Sequence, residues 1–165
     1  MNAKKINDVL KGLENFGGIY DADQLDNVKI LSLPVMMIIN SEEHWIGLFV
    51  DQKNIEIMDS IALINKPEIN GSLCRFLCAQ MKGKKLTASP KLQSDESSDC
   101  GKYAVTFLVY KALTSYSLKD FLKSFTADYD SNSKNIRKLF QTIQNLIKNL
   151  KTVNFSMTHS NDEIS

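Results

Sequence analysis

The stretch HWIGLFVDQKNIEIMDS, residues 44–60, decides the fold prediction for this chain. Its first half alternates, so that Trp45, Gly47 and Phe49 would share one face of a β-strand. The polar residues 51–54 interrupt this pattern, and the alternation resumes in the second half. Two alternating runs joined by a short polar turn are typical of a β-hairpin.

Helical periodicity flanks this hairpin on both sides. Residues 100–113 are hydrophobic nearly all round, which predicts a helix that is buried on most of its sides. Strands and helices do not alternate regularly along the chain, which favours an α+β fold with a central mixed or antiparallel sheet packed against helices. The other predicted helices are 2–15, which Gly17 and Gly18 would end, 71–81, one with a capping-box-like start at Ser117 to Asp120, and 133–153. Residues 20–27 are predicted to form a loop. The remaining predicted strands are 28–40, which Pro34 would split or mark as an edge, and a short one within 84–93.

Length and composition indicate one globular domain. The 165 residues are 43% hydrophobic, and we expect a single domain over 1–153 followed by a polar tail over 154–165. No apolar run has the length of a membrane span and no basic and apolar leader opens the sequence, so we expect a soluble chain that is not secreted. A net charge of +1 gives no general signal for nucleic acid, and three Cys in such a chain indicate reduced thiols.

Cys100 is the first candidate for chemistry. It follows the polar loop QSDESSD and opens the apolar helix. The free backbone amides at a helix N-terminus stabilise a thiolate, and Gly101 leaves the backbone beside the sulfur unobstructed. A lone Cys is most often a small buried core residue, but this one begins its helix instead of lying inside it.

His44 and Asp59 are the second candidates. His44 begins the first strand of the hairpin, and a turn centred near Asp51 and Gln52 pairs residues whose numbers add up to about 103. This register places His44 directly opposite Asp59, so the carboxylate could orient the imidazole and stabilise its charged form. The pairing depends on the parity of the turn, and Asp59 alone would read as a strand-end or turn residue.

Gln93 completes the set. It lies seven residues before Cys100, and its side-chain amide could donate to a developing oxyanion together with the Cys100 backbone N–H. Gln93 alone would read as an exposed loop residue. The four residues His44, Asp59, Gln93 and Cys100 supply a base, an orienting acid, an oxyanion donor and a nucleophile for acyl transfer.

These segments resemble the adenain-like cysteine proteases, the adenovirus maturation protease family with relatives in Polinton/Maverick elements and virophages. The matching pieces are HWIGLFVDQKNIEIMDS at 44–60, QSDESSDCGKYAVTFLVYKAL at 93–113 and INDVLKGLENFGGIYDADQLDN at 6–27. The chain is similar, more distantly, to the SUMO-type proteases of ubiquitin-like proteins. The seven-residue spacing from Gln93 to Cys100 resembles adenain, whereas an Asp at position 59 resembles the SUMO-type enzymes.

The resemblance implies a papain-like protease fold of the adenain type, with Cys100 as nucleophile, His44 as base, Asp59 as third member, Gln93 in the oxyanion hole and Trp45 lining the substrate cleft. It implies cleavage after small residues, often at Gly-Gly or Gly-X-Gly sites, in capsid or core precursors during virion maturation. The protein would then act in the virion and in the cytoplasm or virus factory of the infected cell. It implies no small-molecule cofactor, although an activating viral peptide or DNA assists adenain.

Three other hypotheses stay open. The same residues would serve a protease that removes ubiquitin-like modifiers through an extended Gly-Gly tail. A catalytically silent binding module of the same fold would be marked by a missing catalytic residue, and none is missing. An unrelated α+β scaffold would hold the four candidate residues apart in space.

Two further patterns have plain interpretations. Basic residues of the last predicted helix, Arg137 among them, favour a solvated helix face over a nucleic-acid track. Cys74 and Cys78, four residues apart, favour partly buried core positions over a peptide-linking thiol or a zinc pair, since no further ligands stand nearby.

Overall fold

The computed structural model describes residues 1–66 and 69–159. Its helices and strands follow the order predicted for an α+β chain, with one additional strand near the N-terminus. Two short 3₁₀ helices, Ala22–Asn27 and Leu63–Asn65, connect the larger elements. The helices are α1 (Ala3–Leu10), α2 (Gly71–Gln80), α3 (Cys100–Leu113), α4 (Leu118–Leu122) and α5 (Tyr129–His159), and the strands are β1 (Phe16–Asp21), β2 (Val35–Ser41), β3 (His44–Val50), β4 (Asn54–Met58) and β5 (Lys85–Ala88).

The five strands form one mixed sheet in the order β1-β2-β3-β4-β5. The central strands β2, β3 and β4 are antiparallel, and the outer strands β1 and β5 pair in parallel with β2 and β4. The C-terminal ends of β1 and β2 and the N-terminal end of β3 therefore lie together at the same end of the sheet's strands. The predicted α+β fold with a central sheet packed against helices is confirmed.

Helices cover both faces of the sheet. On one face Trp45 and Met58 pack with α3, α4 and α5. On the other face the alternate residues Ile46, Leu48 and Ile57 pack against α2. The predicted alternation in β3 thus corresponds to two separate cores, because successive side chains of a strand point to opposite faces.

A glycine brings α3 close to the middle of the sheet. A Cβ atom on Gly47 would lie 3.0 Å from the carbonyl oxygen of Ala104, which is closer than side-chain carbons normally approach. Backbone therefore packs on backbone where β3 crosses α3. This close contact fixes the helix that begins at Cys100 relative to the strand that begins at His44.

The N-terminal region differs from the sequence prediction. The first helix was expected to reach residue 15 and residues 20–27 to be a loop, but α1 ends at Leu10 and β1 follows at Phe16–Asp21. Gly17 and Gly18 were expected to stop the helix, and instead they lie inside β1, where Gly18 has a φ of +122°. Side chains that would reveal the strand pattern are missing at both positions.

Two other boundaries moved. Only Val35–Ser41 of the strand-like segment 28–40 pairs in the sheet, and Pro34 precedes the strand. Helix α5 begins at Tyr129, earlier than the predicted 133, and continues to His159, past the residue where the polar tail was expected to begin. The remainder of that expected tail, 160–165, lies outside the described residues. No helix in the described part of the chain is long and apolar enough to span a membrane.

Candidate active site

Cys100 is the first residue of α3 and is 8% exposed. Its thiol accepts hydrogen bonds from the backbone of Trp45 and Gly101 and forms one with the His44 side chain. Burial by itself raises the pKa of the Cys100 thiol, but these hydrogen bonds and the charge of His44 outweigh it, so that the pKa is lowered. The site therefore favours a thiolate, the form in which cysteine acts as a nucleophile.

His44 is placed by a two-residue turn between β2 and β3. Glu42 and Glu43 both have positive φ angles, 51° and 69°, and Ser41 pairs directly with His44. Two residues of positive φ make the tight hairpin turn whose twist matches that of the flanking strands. The turn places the His44 ring, which is 7% exposed, at the end of the central strand, close to the start of α3.

Asp59 lies behind His44 and is completely buried. His44 Nε2 donates to Asp59 Oδ1 at 2.8 Å, which leaves Nδ1 to face the Cys100 thiol. The second carboxylate oxygen, Oδ2, accepts the backbone N–H of Ile64 at 2.8 Å, and the Asp59 N–H donates to Ser89 Oγ at 2.8 Å. The first two contacts restrict the orientation of the carboxylate, and the third holds the backbone that carries it.

The predicted register of the hairpin is wrong by two residues. Leu48 pairs with Ile57 and Val50 with Ile55, so paired numbers add up to 105, and Asp59 is not directly opposite His44. The turn is centred one residue later than expected, between Gln52 and Lys53. A shift of two preserves the face, because side chains alternate with a period of two, and the two side chains still meet.

The charges of this group support one another. Burial lowers the pKa of His44, but the hydrogen bonds to Asp59 and Cys100 and their charges outweigh it and raise the pKa to about 9. The lowered pKa of Cys100 and the raised pKa of His44 together favour a thiolate beside an imidazolium. Such an ion pair is a nucleophile and a proton donor already in place.

Gln93 lies at the same cleft and is 1% exposed. Its Oε1 accepts from Ser60 Oγ at 3.1 Å, and its Nε2 donates to the carbonyl of Ser97 at 3.0 Å. The Ser60 carbonyl also accepts the Gln93 N–H at 3.2 Å. An amide nitrogen carries two hydrogens, so Nε2 keeps one for another acceptor. The alternative interpretation of Gln93 as an exposed loop residue is wrong, because the side chain is buried.

Trp45 stands beside Cys100, is 8% exposed and lines the cleft. Its indole Nε1 donates to the carbonyl of Met1 at 2.9 Å. A Cβ atom on Gly101 would lie 3.2 Å from the Trp45 ring and 3.0 Å from Met1 Cβ. The first residue of the chain therefore forms part of the cleft wall next to Cys100.

The cleft itself has a volume of about 940 Å³ and includes His44, Gln93 and Cys100 in its lining. Within the described residues its wall contains four carboxylates and no Lys or Arg side chain. The carboxylates belong to Asp21, Glu42, Glu43 and Asp95. Their negative charge opposes the binding of a polyanion in the cleft.

Several functional positions were not recognised in the sequence. Ser60 forms a hydrogen bond with Gln93, Ser89 accepts one from the Asp59 N–H, and Asp99 is a buried acid directly before Cys100. The first two carry no sequence signal, because isolated serines have no distinctive spacing, whereas an acid directly before a candidate nucleophile is a usable signal.

The expectation that Cys74 and Cys78 are partly buried is wrong, since both are exposed on α2. Among the side chains that the structure describes, in residues 1–66 and 69–150, no cluster of metal-ligating groups is present.

The four sequence candidates are thus close in space. His44, Gln93 and Cys100 line one cleft, and Asp59 contacts His44 from the protein interior. The hypothesis of a scaffold that holds these residues apart is therefore wrong. Chemically, the arrangement offers a nucleophile, a proton donor and an amide donor around one open position.

Three solved structures are similar to this chain at low sequence identity. The central domain of the uncharacterized Lpg1148 protein from Legionella pneumophila has a TM-score of 0.51 and 10% identity, with 90% of this chain and 98% of that chain covered. The SUMO protease Ulp1 with the catalytic cysteine oxidized to a sulfenic acid has a TM-score of 0.46 and 14% identity, covering 88% and 76%. A de-sumoylating protease has a TM-score of 0.40 and 17% identity, covering 92% and 82%.

Sequence comparison leads to a family. No curated protein matches the chain. The sequence model of the Ulp1 protease family, C-terminal catalytic domain, matches residues 4–147, which is most of the chain and includes His44, Asp59, Gln93 and Cys100. The protein therefore belongs to the Ulp1 protease family and has the cysteine protease domain that defines it.

Proposed function

We propose that the protein is a cysteine endopeptidase in which Cys100 is the nucleophile, His44 the base and acid, and Asp59 the orienting group. One observation carries the proposal. His44 donates from Nε2 to the buried Asp59 at 2.8 Å and presents its other nitrogen to a thiol at the N-terminus of a buried helix. This is the relation of nucleophile, base and orienting acid that acyl transfer through a thioester needs.

The reaction proceeds from the ion pair. The Cys100 thiolate attacks the scissile carbonyl, and the oxyanion that forms accepts hydrogen bonds from Gln93 Nε2 and the Cys100 N–H. The His44 imidazolium gives its proton to the leaving amine as the C–N bond breaks, and a thioester is left on the sulfur. A water molecule, deprotonated by His44, then attacks the thioester and releases the acid product and the thiolate.

We propose capsid or core precursor proteins as substrates, cleaved after small residues such as Gly-Gly or Gly-X-Gly. The spacing of seven residues from Gln93 to Cys100 supports the adenain-like branch of this proposal. The protein would then act in the virion and in the cytoplasm or virus factory of the infected cell. Trp45 would bind the small residues, since it lines the cleft together with Cys100.

Removal of a ubiquitin-like modifier is the second candidate function. The family match over residues 4–147 favours it, and so does an Asp at position 59. The chemistry at Cys100 would be unchanged, and the leaving amine would be that of a modified lysine. A peptide series and a ubiquitin-like precursor, offered to the same enzyme, separate the two functions.

We propose that the reaction needs no small-molecule cofactor. An activating viral peptide is compatible with the site, because the resting geometry is formed by residues from separate elements that a bound peptide would hold together. A DNA activator would have to bind away from the cleft, because the cleft wall is acidic.

Thiol trapping tests the proposed function. A Gly-Gly peptide ending in a vinyl sulfone is expected to form one adduct on Cys100, located by intact mass and peptide mapping. The matched control is the Cys74→Ser, Cys78→Ser variant, which keeps Cys100 as its only thiol and should react at the wild-type rate.

Two variants make the test decisive. Cys100→Ala should remove both the adduct and the cleavage without unfolding the protein, and His44→Ala should remove the adduct at neutral pH. Equal labelling of all three thiols, or the absence of any adduct with virion peptides and DNA added, would identify a silent binding module. Substantial cleavage by a clean Cys100→Ala sample would contradict the assignment of the nucleophile.

A further inference from the structure

Asp99 is a buried carboxylate that the proposed mechanism does not use. It directly precedes Cys100 and has no exposed surface. Arg137 Nε donates to both of its oxygens, at 3.1 Å and 2.9 Å, and Lys102 Nζ donates to Oδ1. A buried charge persists only where partners of opposite charge satisfy it. Lys102 from α3 and Arg137 from α5 are these partners of Asp99.

The Asp99 side chain is not used to cap its own helix. An aspartate at this position normally accepts from the first backbone amides of the helix. Here the Asp99 carbonyl accepts from the N–H groups of Lys102 and Tyr103, at 2.8 Å and 3.2 Å, and the carboxylate points to Arg137. Asp99 therefore joins the start of α3 to the side of α5.

Helix α5 has a second contact at the other end of the same loop. Asn132, 1% exposed, donates from Nδ2 to the carbonyl of Leu92 at 3.1 Å. Leu92 is the residue before Gln93. One helix thus holds the residues on both sides of the segment 93–98, with Asn132 at its beginning and Arg137 at its end.

Ser97 connects these contacts to the amide of Gln93. The Asp99 N–H donates to Ser97 Oγ at 3.3 Å, and the Ser97 carbonyl accepts from Gln93 Nε2 at 3.0 Å. A continuous series of contacts therefore runs from Arg137 through Asp99 and Ser97 to Gln93. Removal of the Arg137 guanidinium would release one end of this series.

We propose that Arg137 is a positioning residue of the proposed protease. It acts through Asp99 and Ser97 to hold the Gln93 amide where the oxyanion forms. The inference rests on the proposed function, since it assigns a role within that reaction. Displacement of a catalytic group by about 1 Å can cost on the order of 100-fold in rate, so a surface arginine can matter to catalysis without touching the substrate.

Arg137→Met tests the proposal, with Lys138→Met as the matched control on the same helix. Lys138 is exposed, and its loss should leave kcat and KM unchanged. Arg137→Met should lower kcat by about 10- to 100-fold and change KM by less than about threefold. Arg137→Lys keeps the charge without the planar donor group and should give an intermediate kcat.

Alkylation of Cys100 by iodoacetamide distinguishes positioning from general damage. The thiolate depends on His44, so the alkylation rate and its pH midpoint should be the same in Arg137→Met and wild type. A parallel fall in alkylation and kcat would overturn the proposal. If Arg137→Met does not fold, Arg137→Lys decides, and an unchanged kcat in that variant overturns it.

A double-variant cycle tests the route through Gln93. Arg137→Met combined with Gln93→Ala should lose no more than about threefold beyond Gln93→Ala alone, because both changes remove the same oxyanion donor. If the loss of rate in the double variant equals the product of the two single-variant losses, Arg137 acts elsewhere and the inference is overturned. Failure of the proposed function is distinguishable, since the wild type itself would then cleave no Gly-Gly substrate.

Discussion

Replacement of Asp59 by Asn gives the sharpest test of the proposed charge relation. The raised pKa of His44, about 9 instead of 6.5, corresponds to about 3 kcal/mol in favour of the imidazolium. The hydrogen bond to Asp59 is the largest of the effects that raise it. A hydrogen bond to a charged partner contributes about 1.5–3 kcal/mol, so Asp59→Asn should lower kcat/KM by about 10- to 150-fold at neutral pH.

The pH profile shows in which direction kcat/KM changes with the protonation of His44. An imidazolium with a raised pKa persists until the pH passes that value, so wild-type kcat/KM should fall as pH rises through about 9. In Asp59→Asn the pKa of His44 should decrease, and the alkaline fall should occur at lower pH. The acid side of the profile follows the lowered pKa of Cys100, with activity lost as the thiolate is protonated.

The assay is hydrolysis of a fluorogenic Gly-Gly peptide from mildly acidic to alkaline pH. Glu14→Gln, which removes an exposed carboxylate outside the cleft, is the control and should behave as wild type. Asp59→Glu keeps the charge and should recover part of the activity. A folded Asp59→Asn protein with an unchanged rate and an unchanged alkaline limb would refute the role given to Asp59.

Three other predictions concern single features of the structure. Gln93→Ala should lower kcat by about 100- to 1,000-fold with little change in KM, and a wild-type kcat in steady-state kinetics would exclude Gln93 from the oxyanion hole. Gly47→Ala should lower the free energy of unfolding by about 1–3 kcal/mol, because the new Cβ would press on the backbone of Ala104. An unchanged urea midpoint would contradict that close packing. The double variant Cys74→Ser, Cys78→Ser should keep full peptidase activity, since both thiols are exposed on α2 and do not line the cleft, and a clear loss of kcat/KM would give them a role.

The strongest sequence patterns predicted the central elements well. The boundaries of α3 and β3 were found because an all-round apolar helix and a strictly alternating strand leave little choice of period. The capping box of α4, with Ser117 and Asp120, was also predicted correctly. These are the segments whose side chains fill the two cores.

The errors occur where side chains do not define the structure. In β1 the adjacent glycines Gly17 and Gly18 remove the alternating signal, and the strand is specified by its parallel pairing with β2, which no local pattern reveals. The hairpin register was wrong because it depends on the centre of a polar turn, and several centres fit the sequence between Asp51 and Asn54.

The sequence predicted the residues of the candidate site better than the contacts that hold them in position. His44 and Cys100 could be selected because a base at a strand start and a thiol at a helix start have chemical reasons to be there. The contact of Arg137 with Asp99 joins residues 38 positions apart, and its basic neighbours had suggested only a solvated face. Such pairs depend on how helices pack, which sequence periodicity alone does not determine.

The bond from Trp45 to the carbonyl of Met1 has a practical consequence for anyone who produces this protein. Residues joined ahead of Met1, whether a natural extension or an affinity tag, would begin inside the cleft wall, next to the reactive sulfur. They would compete with added peptide for the same space and could be trimmed by the enzyme itself. Kinetic work should therefore keep an affinity tag away from Met1.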